Sequence, residues 1–79
     1  MSAAQQNAFM MRIVKDVGAE LLTEFGTFSE QMVAVEGITT GLLFALIVRH
    51  NKQPDQAIEA LFEGIRQRLV RVIYGENRH

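Results

Sequence analysis

Apolar residues in this chain recur at helical spacing in two segments and fill a third segment on every side. In the first segment Met10, Ile13, Val14, Val17, Leu21 and Phe25 follow one another at three- and four-residue steps, which stacks them on one helical face. Met11 and Leu22 widen that face, while Arg12, Lys15, Asp16, Ala19 and Thr23 fall opposite. This predicts a helix over about 7–25, with residues 1–6 frayed. Gly26 stands where a left-handed C-terminal residue would end it.

A second helix is predicted at once. Thr27 and Glu30 have capping-box spacing, in which hydroxyl and carboxylate each take the other's backbone amide. The helix should run over 28–50, where Arg49 and His50 suit the negative end of its dipole. Residues 42–48 read Leu-Leu-Phe-Ala-Leu-Ile-Val. A helix apolar all round must be buried all round.

The next break is Asn51-Lys52-Gln53-Pro54, with proline suited to a first helical turn and Asp55 to the positive dipole end. From there Ile58, Leu61, Phe62, Ile65, Leu69, Val72 and Ile73 form the cleanest amphipathic stripe in the chain. It predicts a helix over 54–74, with 76–79 frayed. No segment alternates as a half-buried strand would. The expected fold is therefore all-α, a single domain over 1–79: a three-helix antiparallel bundle with helix two central and buried. Two short neighbours can hardly enclose residues 42–48, so dimerisation is expected to complete the burial.

Helix two carries a stripe of small residues, Ala34, Gly37, Gly41 and Ala45. Such a groove lets another backbone approach closely. Glycine inside a helix is about 1 kcal/mol worse than alanine, so two of them need a reason. Close packing is one; a kink or break at 37–41 is the other. Ala57, Ala60 and Gly64 form a matching stripe on helix three. With Phe44 and Val48, the stripe of helix two is the expected helix-packing and dimer surface.

Composition narrows the function. At 79 residues without cysteine, stability must come from packing and oligomerisation rather than disulfides. Net charge is −1 and the pI about 6.1, which argues against bulk attraction to nucleic acid or anionic membrane. The charge is uneven: residues 1–48 carry two basic and five acidic side chains, residues 49–79 six and four. The N-terminal segment lacks the basic and apolar regions of a secretory signal. Glu36 interrupts the one membrane candidate, Met32 to Val48, so no membrane span is expected. The expected location is cytoplasmic, and six Arg against two Lys hint at a bacterial source.

No catalytic, metal or cofactor signature emerges. Glu20/Glu24 and Glu59/Glu63 stand at i,i+4 without the histidine of a bundle di-metal site, and solvated faces explain them. His50 is read as a helix terminator rather than a base. Met10, Met11 and Met32, with most of the phenylalanines, are read as core. Phe9 projects off the main face of helix one, and Val70 and Tyr74 lie opposite the main stripe of helix three, near Arg66 and Arg71. These five residues are the candidate partner-binding surface, because aromatic and arginine side chains anchor interfaces. The expectation is a small non-enzymatic protein acting by protein–protein binding, as regulator, adaptor or antagonist. The alternative is a DNA-binding regulator dimer using the arginine-rich end of helix three. Against it, Asp55, Glu59 and Glu63 occupy the N-terminal part of helix three, where a recognition helix contacts bases.

Overall fold

The computed structural model describes residues 2–75. The described residues form three helices and no strand: α1 (Ala3–Glu24), α2 (Phe28–His50) and α3 (Pro54–Gly75). α1 starts four residues earlier than the apolar pattern indicates. Its signal is polar rather than apolar. The Ser2 amide donates to Gln5 Oε1 at 2.9 Å, and the Gln5 amide donates to Ser2 Oγ at 3.1 Å. This is a second capping box, and Ala3 and Ala4 behind it are strong helix formers. The expected fraying at 76–79 lies outside the described residues.

The ends of α1 and α2 use different chemistry. α1 stops at Phe25, whose backbone is extended (φ −125°, ψ 132°) while its amide still donates to the Leu21 carbonyl at 3.1 Å. Gly26 does not take the left-handed conformation expected of it, since no described glycine has a positive φ. The Gln31 side-chain amide instead caps the Phe25 carbonyl at 2.9 Å. At the end of α2 the left-handed residue is Asn51 (φ 51°), and the Lys52 amide reaches the Ile47 carbonyl at 3.1 Å. That pairing is the longer bond of a Schellman turn. Pro54 then opens α3 at its first position, where its missing N–H removes no bond.

α2 is one unbroken helix through Gly37 and Gly41, so the break allowed by its glycines is absent. The chain divides within it into two compact units, residues 1–38 and 39–79. In the first unit the half-buried residues are Val17, Gly18 and Leu21 on α1 and Gln31 and Ala34 on α2. In the second they are Thr39, Leu43 and Ile47 on α2 and Ala57, Leu61 and Gly64 on α3.

The expected burial of α2 does not occur. No described residue is fully buried. Phe44 is 65% exposed, Val48 63%, and Leu42 and Leu46 are exposed with them. The reason is geometric. Each unit sets one neighbouring helix against one half of α2, and one neighbour covers only one side. A helix that is apolar on all sides keeps the others open.

Candidate functional site

α3 positions the surface anticipated around its C-terminal half. Arg66, Val70 and Tyr74 follow at four-residue steps, and Arg71 lies one turn before Tyr74, so helical geometry alone brings them together. With Gln67 and Gly75 they line a shallow, open depression of about 460 Å³. Its lining thus combines one aliphatic and one aromatic side chain with two arginines. From residue 66 to residue 74 there are three arginines and no acid. An aromatic body flanked by forked cations suits carboxylate-bearing protein surface better than an apolar ligand, because the guanidinium fork donates two parallel hydrogen bonds to a carboxylate. All of these residues are exposed.

Phe9 is not part of this depression. It lies on α1, in the other unit, 51% exposed. The Arg12 guanidinium stands over its ring at 5.3 Å from the centroid, within cation–π range. An aromatic residue followed three positions later by arginine permits this pairing without fixing the rotamers it needs; the periodicity of apolar residues passes over it.

The small-residue stripe splits. Ala34 is half-buried in the first unit, whereas Gly37, Gly41 and Ala45 are exposed. A Cβ built on Gly37 or Gly41 would meet nothing within 4 Å. Within the chain, therefore, no backbone uses the groove that these glycines leave. On α3 the opposite holds. Its small stripe, through Ala57 and Gly64, supplies half-buried positions, while the larger apolar residues Ile58, Phe62, Ile65, Leu69 and Val72 remain exposed. Sequence periodicity identifies that stripe but not which side of the helix meets a neighbour in the chain.

Among the described residues no group of three or more His, Asp or Glu side chains stands close enough to hold a metal ion. Glu63 accepts a hydrogen bond from the Gln67 side-chain amide at 3.1 Å, which ties it to its own helix surface. His50 is the last residue of α2.

By length and composition α2 is also apolar enough to cross a membrane: it has 23 residues and contains an 18-residue stretch with a mean hydropathy of 1.8, and it spans about 35 Å. Glu36 does not bring it below that measure. The core helix of a soluble assembly has the same composition, and the apolar stripes of α1 and α3 bear on the choice. The chain matches no protein-family model, no curated protein and no solved structure.

Proposed function

We propose that this chain is a non-enzymatic helical protein that acts by protein–protein binding and whose working unit is a homodimer. The observation that carries the reading is the uncovered surface. No described residue is buried, and large apolar residues of α2 and α3 stay exposed, among them Leu42, Phe44, Val48, Phe62 and Leu69, whereas a soluble monomer seldom leaves so many open together. In the dimer the helices of both copies form an antiparallel bundle with α2 buried at its centre. Close backbone packing against Gly37, Gly41 and Ala45, beside Phe44 and Val48, contributes to that contact. The depression around Val70 and Tyr74, rimmed by Arg66 and Arg71, is then left for a different protein, with Phe9 as a separate contact. Regulator, adaptor or antagonist are the roles such a surface serves.

A protein assembly accounts for the apolar stripes better than a bilayer does. α1 and α3 both carry amphipathic faces that remain open, and apolar faces of this kind cover one another in a helix bundle. A lipid-spanning α2 would leave those stripes uncovered and place Glu36 within the span, at about 2.5–3.5 kcal/mol on insertion scales. The reading therefore places the protein in the cytoplasm.

The test uses two copies of the full chain with different tags, expressed in one cell. The expected result is co-purification from the supernatant after membranes are pelleted in high salt. Recovery only with detergent contradicts the reading in favour of a membrane helix. Co-purification that disappears on nuclease treatment or with rising salt contradicts it in favour of nucleic acid.

A further inference from the structure

We infer that α3 pairs antiparallel with α3 of a second copy, through a heptad seam that the chain itself leaves open. The inference rests on the self-association proposed above and specifies its surface, orientation and register. Ile58, Phe62, Ile65, Leu69 and Val72 are spaced four, three, four and three. This is the a/d repeat of a coiled coil, with Phe62 and Leu69 at a and Ile58, Ile65 and Val72 at d. The hairpin of α2 and α3 does not consume it. Ala57, Leu61 and Gly64 are the half-buried residues of α3, whereas the seam stays open, with Phe62 60% and Leu69 52% exposed.

The occupant follows from side-chain shape and charge. A parallel pair would stack Phe62 on Phe62 and Leu69 on Leu69, with β-branched residues at d. That is the reverse of the β-branched a and leucine d that favour parallel dimers. An antiparallel pair alternates a against d, and so sets Leu69 against Ile58 and Phe62 against Ile65 in four layers, a large residue against a β-branched one in each. The seam ends there because the preceding a position is Asp55, at the helix N-terminus.

In this register the flanking e positions of the two helices face each other, bringing Glu59 of each copy to Arg66 of the other; this assigns Arg66 to the flank of the seam and leaves Val70, Arg71 and Tyr74 of the depression for a different protein. Two symmetric ion pairs result. Within one chain Glu59 and Arg66 stand two turns apart, about 10 Å along the axis, and cannot pair. In the parallel arrangement Glu59 would meet Pro54, and Arg66 would meet Leu61, so no charge pair forms. Sliding the antiparallel pair to the neighbouring register sets Arg66 against Arg66 and Arg68 against Arg68. Charge therefore selects one orientation and one register.

The experiment exchanges these charges between chains. Glu59→Arg and Arg66→Glu variants are prepared separately, checked for helicity by circular dichroism, and their masses followed against concentration, alone and as an equimolar mixture. Each variant alone sets like charges together twice, and its dimer dissociation constant should rise about tenfold. The mixture restores both pairs and should return close to the wild-type value. Two variants that keep wild-type affinity place the interface elsewhere and overturn the inference, while self-association stands. Weakened variants whose mixture stays weak overturn the antiparallel register. A monomeric wild-type chain, its seam covered by its own α1 or by solvent, overturns both the inference and the reading beneath it.

Discussion

Thr27 and Glu30 hold the start of α2 reciprocally. The Glu30 amide donates to Thr27 Oγ1 at 3.2 Å, and Glu30 Oε1 receives both the Thr27 amide at 3.2 Å and the Thr27 hydroxyl at 2.8 Å. A turn of three residues between α1 and α2 depends on this, since it leaves few other partners for the first amides of α2. Thr27→Ala should destabilise the protein by about 1 kcal/mol, measured by thermal melting at fixed concentration. An unchanged melt would mean that assembly contacts, rather than the cap, hold this corner.

Asn51 carries the left-handed turn between α2 and α3. With φ at 51°, a β-branched side chain is strained there and glycine is not. Asn51→Val should destabilise by about 1–2 kcal/mol, and Asn51→Gly should be neutral or stabilising. Equal melts for the two variants would contradict the left-handed assignment.

Gly41 has open space where a Cβ would stand, so a larger side chain meets no obstacle in the chain itself. In the proposed dimer the groove is occupied by a second copy. Gly41→Leu should therefore weaken the assembly by on the order of 1–3 kcal/mol while raising helix propensity. A variant of higher stability and unchanged mass would place Gly41 in solvent.

Val70 and Tyr74 lie off the heptad seam and are exposed. Changing both to serine should leave helicity, melting and oligomeric mass close to wild type, which sedimentation and circular dichroism would check. Loss of the oligomer would assign them to the dimer contact instead of a surface free for another protein.

What was legible in the chain was local. Thr27 with Glu30, and Pro54 after Asn51, fix where α2 and α3 begin, because each start is decided by atoms within a turn. Ser2 with Gln5 was equally local but lay ahead of the first apolar residue, so hydrophobic periodicity placed α1 too late. Gly26 resembles a left-handed helix end in the sequence, but an extended Phe25, capped by Gln31, ends α1 without any left-handed residue. The exposure of Phe44 and Val48 was beyond local reasoning. An all-apolar helix states that it must be covered, but not whether its own chain or another covers it. For the candidate surface, four-residue steps placed Arg66, Val70 and Tyr74 together, as any helix would. The Arg12–Phe9 stacking depends on a rotamer, which spacing alone does not fix.

The central claim is that the surface left open by α2 and α3 is closed by a second copy. Multi-angle light scattering of the purified full-length chain, from submicromolar to about 100 μM without detergent, tests it most directly. The account predicts a mass of twice 8.9 kDa, independent of salt between 0.1 and 1 M, because apolar burial rather than exposed charge supplies the affinity. A monomer of 8.9 kDa across that range would contradict it.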